Sequence, residues 1–330
     1  MFSRKMAKCK RDHRVKLLQV CNVGEICGGT AACAWSITHA LPEVEHAVIF
    51  LSPPNARTLQ AFNHCQVDSM PIVDNGIVRK IKPSVVVLHN TARGRVSPVE
   101  CAVTIQYHHS VGQRTPADLH VACSNWLASQ IPQNPKVLYQ PVPRPPKPLS
   151  SSVRSVSTAL HIGRLCTPSQ HKWPAELLDM YETLSERHPH VIWEFVGAPE
   201  HLTADLLRVC QARCRFHAPN VRARSLLWNW HAMLYHHPHL TESFGRVVAE
   251  AMRTGCVPMI DARGGFSEQV TSSDFGFLCD HVNSFSNAIE ILTERGQWMR
   301  MSDVAKFYAD EKFSLETFRS EFLKQLDQLC

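Results

Sequence analysis

The sequence predicts an α/β protein made of two Rossmann-like β/α/β domains facing across a cleft. Three observations predict it. Short apolar strands alternate with helical or looped segments in both halves, the rhythm of a parallel sheet covered on both faces. A break at PVPRPPKPLSSSVRS, from Pro141, separates the halves. Proline fixes φ and has no ladder donor, so no strand continues through it. The 330 residues, 44% hydrophobic, are enough for two ordinary domains with their own cores. The predicted boundaries are a basic tail over 1–14, a first domain over 15–140, a hinge over 141–157, a second domain over 158–309 and a terminal helix over 310–330.

Composition narrows the partners. Net charge is +6, from 35 Lys+Arg against 29 Asp+Glu, which suits anionic small molecules and does not require nucleic acid. No apolar run approaches the length of a membrane span. The 13 cysteines are scattered, several inside predicted strands and helices (Cys21, Cys33, Cys101, Cys123, Cys256), as reduced thiols are in a cytosolic core. Cys210 and Cys214 have no partner pair at zinc-site spacing, so no metal is predicted. The opening MFSRKMAKCKRDHR has no apolar segment behind it and reads as a terminus rather than a secretory signal. Its charge leaves room for peripheral contact with an anionic lipid surface.

In the first half, Lys16–Val23 reads as a strand. Gly28-Gly29-Thr30 then leads into the helix AACAWSITHAL, which stops near Pro42. Backbone amides at such a helix start suit an anion. The G-x-G-x-x-G spacing is missing, so no dinucleotide fingerprint exists, and a tight turn and a ligand-facing loop both fit. Further strands follow at Ala47–Leu51, Ser84–His89, Val103–His108 and His120–Ala122, then a helix SNWLASQI and a strand KVLYQ. Functional groups in such sheets gather at the carboxyl ends of strands. Histidines stand there at His89 and at His108-His109, and strand alternation sends only one of the latter pair into a site.

The second half opens with a strand to Gly163, a loop flanked by Arg164 and Lys172, a helix through Arg187 and the strand VIWEFVG. Five arginines between 208 and 224 surround a predicted strand, Arg213–Phe216. They read as a solvated surface, because the interleaved aromatics of a single-strand nucleic-acid platform are missing. Trp228–His239 carries four histidines. A metal site at His236, His237 and His239 is the alternative there to a plain strand and loop. The strand FGFLC and two helices close the chain. The last, FSLETFRSEFLKQLDQL, carries the apolar stripe Leu315, Phe318, Phe322, Leu323 and Leu326.

The chain is organised around Tyr235–Val270. Phe244, Val247, Val248, Ala251 and Met252 share one helix face, with Thr241 and Ser243 placed to cap it and Gly255 to end it. Glu242 and Glu250 bracket that helix, an eight-residue step of at most about 12 Å. Carboxylates accept hydrogen bonds from hydroxyls and repel phosphate. A diphosphate would lie on amides near Phe244 and Gly245, at the positive end of the helix. That is the layout of a nucleotide sugar. Gly264-Gly265 lacks side chains and would let backbone amides approach the ligand.

ESFGRVVAEAM, GCVPMI and GGFSEQV together resemble the donor-site signature of the retaining glycosyltransferases of family 4, which have the GT-B fold. The likeness covers most of residues 158–325 and is looser before them. It implies that Glu250 holds the ribose, Glu242 the transferred sugar, and Arg164 and Lys172 the diphosphate. Gly28 and Gly29 would border sugar and phosphate, and His109, or else His108, would face the reacting sugar. In this fold the terminal helix crosses back to the first domain. The activity so implied is transfer of a sugar from a UDP- or GDP-sugar to a glycan, lipid-linked or small-molecule acceptor, with retention. It needs no metal and no cofactor beyond the donor, and it would run in the cytoplasm or on the inner membrane face. A nucleotide-sugar epimerase and a non-catalytic carbohydrate-binding module are the alternatives.

Overall fold

The structure, a computed structural model, describes residues 15–148, 154 and 159–329. The basic tail and residues 149–153 and 155–157 of the predicted hinge lie outside the described residues. The chain divides into two compact units, Met1–Val142 with Phe313–Cys330, and Pro143–Lys312.

The first unit holds a seven-stranded sheet in the order β3-β2-β1-β4-β5-β6-β7. Its strands are β1 Lys16–Cys21, β2 Glu45–Phe50, β3 Gln66–Ser69, β4 Val85–His89, β5 Val103–His108, β6 Leu119–Ala122 and β7 Lys136–Val137. Neighbouring strands run parallel, with Cys21 opposite His89 where β1 meets β4. A parallel sheet is covered on both faces, so β1, β2, β4 and β5 are buried almost throughout, β4 as a nearly continuous apolar run. The edge strand β3, QVDS, is mostly exposed and carries no such run, which is why the sequence pattern does not announce it. Helix α1 (Gly29–Ala40) follows β1; α2 (Ala56–Ala61) and α3 (Asn75–Ile81) are capped by the side chains of Asn55 and Asp74, and α4 (Asn125–Ser129) by Ser124.

The second unit holds a six-stranded sheet in the order β10-β9-β8-β11-β12-β13. The strands are β8 Leu160–Leu165, β9 Val191–Val196, β10 Cys214–His217, β11 Ala232–Tyr235, β12 Val257–Asp261 and β13 Phe277–Cys279, again parallel. Around them lie α5 (Leu177–Arg187), α6 (Glu200–Val209), α7 (Arg246–Met252), α8 (Val282–Thr293) and α9 (Arg295–Phe313). Three helices thus follow β13 where two were expected, because the extended Glu294 separates α8 from α9; Ser314 caps the expected last helix, α10 (Leu315–Asp327). Helix α10 belongs to the first unit, where it packs on α1 with Phe318 and Phe322 buried and Leu323 exposed.

Counted from its own first strand, each sheet has the order 3-2-1-4 that reverses direction beside strand one. A crevice opens at that reversal, outside the carboxyl ends, and ligands of doubly wound sheets bind there. The reversal falls between β1 and β4 in the first unit and between β8 and β11 in the second.

Candidate active site in the second unit

Arg164 is the next-to-last residue of β8, and Tyr235 ends β11, so the two flank the reversal point. Arg164 is 1% exposed, with its guanidinium 4.9 Å from the centre of the Trp173 ring and 4.7 Å from that of Tyr235. Two aromatic faces attract a cation held between them. Its terminal nitrogens donate to the carbonyl oxygens of His236, at 2.8 Å, and Lys172, at 2.9 Å. Burial alone would lower its pKa, but Cys166, Tyr181, Tyr235 and Asp261 around it hold it above the ordinary arginine value. A permanently charged group therefore sits under the loop, tying the β11 exit to the turn Gln170–Lys172.

That turn aims Lys172 at Glu242. The Lys172 ammonium is paired with Glu242 Oε1, and the Tyr235 hydroxyl donates to the same oxygen at 2.8 Å. Both charged side chains are 23% exposed. Glu242 is thus held by two donors on one oxygen and keeps acceptor capacity on the other.

Glu242 does not lie on the helix that carries Glu250. Gly245 caps α7 with φ +80, a left-handed conformation that glycine adopts without strain, and the helix starts only at Arg246. A Cβ on Gly245 would stand 2.0 Å from the Phe266 ring. The cap is thus Gly245 and not Thr241 or Ser243, and the helical ruler between the two carboxylates does not apply. Glu250 is buried, with Arg224 Nε donating to Oε2 at 2.9 Å and Arg246 Nε 3.3 Å from Oε1. Arg224 comes from the segment read in the sequence as solvated surface. Nothing local signals its role, since it lies 26 residues before Glu250.

The Gly264-Gly265 turn also behaves differently from expectation. The Gly265 amide donates to the Glu242 carbonyl at 2.8 Å. A Cβ on Gly265 would meet the Ser243 carbonyl oxygen at 2.2 Å, and one on Gly264 (φ +63) would meet Thr241 Cγ2 at 2.4 Å. The close approach is to the Thr241–Phe244 backbone, which it fixes beneath Glu242; buried Phe244 and Gly245 both offer carbonyls to Gln269.

The histidine run folds into the loop scaffold. Asp261, at the end of β12, accepts from His236 Nδ1 (2.5 Å), the His237 amide (2.9 Å) and Arg263 (3.2 Å). His237 Nδ1 lies 3.1 and 2.7 Å from the amides of His239 and Leu240, while its Nε2 lies 2.9 Å from the His171 carbonyl. Both its ring nitrogens are used in hydrogen bonds, so the run 236, 237, 239 is a hydrogen-bonded loop.

The residues singled out in the first unit form a separate set. Gly28 caps α1 with φ −83, and a Cβ there would make only an ordinary contact; at Gly29 it would meet nothing. His109 Nε2 is 3.0 Å from His89 Nδ1, and its Nδ1 is 2.9 Å from Gln140 Nε2. His108 Nε2 is 2.9 Å from His120 Nδ1, and its Nδ1 is buried. Burial, with His120 and Arg114 nearby, pushes His108 down to about 4. Both rings thus engage partners inside the first unit.

Two Rossmann-type parallel sheets in one chain, with buried cations and carboxylates at the reversal point of the second, define the GT-B architecture. Residues 158–306, a little under half of the chain, match the family model described as "Glycosyl transferases group 1". Among solved structures, the chain is similar to Alr3699/HepE of Anabaena in complex with UDP, at 17% identity and TM-score 0.74, over 95% of this chain and 100% of that one. It is also similar to a glycosyltransferase from Rickettsia africae ESF-5 (13%, TM-score 0.73, 96% and 99%) and a sucrose-phosphate synthase from Thermosynechococcus elongatus (14%, TM-score 0.69, 96% and 99%). These likenesses establish the fold. Comparison with curated proteins gave no significant sequence match.

Proposed function

We propose that this chain is a glycosyltransferase that moves a sugar from a nucleotide-diphosphate-sugar donor to an acceptor hydroxyl with retention of configuration. The observation that carries the reading is Glu242, held on one oxygen by Lys172 and Tyr235 above the buried Arg164, at the reversal point of the sheet that matches the group 1 glycosyltransferase model. Glu242 offers its remaining acceptor sites to sugar hydroxyls. Lys172 is close enough to the same carboxylate to turn towards a phosphate when the donor displaces it, and Arg164 supplies fixed positive charge behind it. A departing nucleoside diphosphate gains negative charge in the transition state, where such preorganised cations stabilise most. Glu250 takes the ribose hydroxyls, with Arg224 and Arg246 holding its orientation.

Retention follows, in this reading, from substitution on one face of the sugar, with the leaving phosphate helping to deprotonate the acceptor and no covalent enzyme intermediate. The Anabaena HepE complexes contain UDP and UDP-glucose, which favours a uridine donor here. The acceptor is a glycan, a lipid-linked sugar or a small molecule. Among the described residues no helix is long and apolar enough to cross a membrane, and we place the reaction in the cytoplasm, with peripheral membrane contact for a lipid-linked acceptor.

A panel of UDP- and GDP-sugars, each tested for release of nucleoside diphosphate with and without candidate acceptors, tests the reading. Release that depends on acceptor, with the product anomer read by NMR as that of the donor, is the expected result. Conversion of donor alone into an isomeric donor would instead indicate an epimerase. Carbohydrate binding without any release would indicate a binding module.

A further inference from the structure

The reversal point of the first sheet carries its own cluster. Cys33 comes from α1, His89 ends β4 and His109 follows β5; all three are buried, and their Sγ and ring-nitrogen atoms lie within 4.8 Å of one another. We propose that Cys33, His89 and His109 form a binding site for a zinc-type divalent cation, with Gln19 and Gln140 as the outer partners of the two imidazoles. The inference is independent of the glycosyltransferase reading.

Hydrogen-bond polarity makes the case. Gln19 Nε2 donates to the Ala34 carbonyl at 3.1 Å, so its Oε1 must be the atom 2.9 Å from His89 Nε2, and it accepts. His89 therefore carries its proton on Nε2 and a lone pair on Nδ1. That is the tautomer a metal-bound histidine needs, with the far nitrogen anchored to an oxygen. Its Nδ1 faces His109 Nε2 at 3.0 Å. On the far side of His109, Nδ1 is 2.9 Å from Gln140 Nε2, while Gln140 Oε1 is buried without a hydrogen-bond partner. A buried acceptor left unmatched is a penalty that needs an explanation. Rotating the Gln140 carboxamide by half a turn pairs that oxygen, with the carboxamide nitrogen taking its former place. The oxygen then accepts from His109 Nδ1–H, and His109 Nε2 presents a lone pair.

Two lone pairs facing each other at 3.0 Å repel unless a cation lies between them. In tetrahedral zinc with metal–nitrogen bonds of about 2.0–2.1 Å, two imidazole nitrogens stand about 3.4 Å apart, so the rings need to spread by only about 0.4 Å. Cys33 supplies the thiolate, and a water or other small ligand takes the fourth position. The protons balance. Cys33 releases one on binding, the His109 proton moves from Nε2 to Nδ1 as Gln140 turns, and His89 is unchanged. A thiolate and two imidazoles select zinc or cobalt over magnesium or calcium.

The test uses the full-length chain without an affinity tag, stripped by a chelator and titrated with cobalt(II). The expected result is one equivalent bound, with tetrahedral d–d bands and a near-ultraviolet thiolate-to-cobalt charge-transfer band that zinc displaces. In Cys33→Ser the charge-transfer band disappears while the metal-free protein melts like wild type. Gln140→Leu, which removes the outer acceptor, weakens binding by about 10–100-fold. Should Cys33→Ser be too unstable to assay, His109→Gln takes its place, with loss of stoichiometric binding expected. Substoichiometric cobalt, or binding that leaves Cys33→Ser and His109→Gln unaffected, overturns the proposal.

Discussion

Both halves place a glycine pair after a strand, and the two pairs do opposite things. Gly264-Gly265 is wedged against the Thr241–Phe244 backbone, where no Cβ fits. Gly28-Gly29 stands in open space with ordinary dihedrals, and a side chain would meet almost nothing. The sequence gives the same sign for each, and only packing separates them. The contrast extends to buried polar groups. Around its reversal point the first half buries a neutral chain, Gln19, His89, His109 and Gln140, that passes hydrogen bonds along in one direction. The second buries charges and compensates each: Glu250 with Arg224 and Arg246, Asp261 with His236 and Arg263. A charge left alone in a core costs several kcal/mol, so the second half is fragile around its candidate site.

Removing one partner sharpens this most. Glu250→Ala leaves Arg224 and Arg246 facing each other and should destabilise the fold by about 3–5 kcal/mol, read as a lower urea midpoint at unchanged slope. Next comes Gly265→Ala, expected to lose about 3 kcal/mol or more through backbone displacement beneath Glu242. If its melting temperature equalled that of wild type, the wedge described for this turn would be wrong.

The acid limb of stability gives a smaller effect. Burial, with His161 and Arg154 nearby, pushes His231 down from the ordinary 6.5 to about 4. The unfolded chain therefore takes up the proton first. The contribution is full above pH 6.5 and is lost as pH falls towards 4. Burial raises Glu194, but hydrogen bonds and charge from His161 and His217 outweigh it and hold the carboxyl at about 2. Its contribution is full above the ordinary 4.5 and is lost only as pH falls below that, towards 2. His231→Gln should thus flatten the stability profile between pH 6.5 and 4, whereas Glu194→Gln should alter it chiefly at lower pH.

Smallest of all, Gly28→Ala and Gly29→Ala should change stability by under about 1 kcal/mol. Loss of turnover at unchanged melting temperature would show that the open space is used by a ligand. No loss would mark the pair as a plain turn.

Much of the architecture was legible. Apolar runs such as SVVVLH and VIWEFVG can only be strands buried on both faces, and the proline-rich break divides them. Glu242, Glu250, Arg164 and Lys172 are candidates through a resemblance spread over most of residues 158–325. Arg224 and Tyr235 were not, because their roles rest on contacts across the fold. The trio Cys33, His89 and His109 was hidden for the same reason: strand order, not spacing, brings it together. The helix start was misplaced because the left-handed turn at Gly245 cannot be told by pattern from the first residues of a helix. Edge strand β3 escaped because an exposed edge carries no apolar alternation.

The proposed donor site is tested most directly by calorimetric titration of UDP and GDP into wild type, Glu250→Gln and Glu242→Gln, each variant first shown to be folded. One diphosphate should bind wild type, with Glu250→Gln at least about 10-fold weaker through loss of about 1.5–3 kcal/mol of charged hydrogen bonding. Glu242→Gln should bind it within about 2-fold of wild type while losing transfer. Wild type that binds neither diphosphate, or a Glu250→Gln variant that binds as wild type does, would contradict the account.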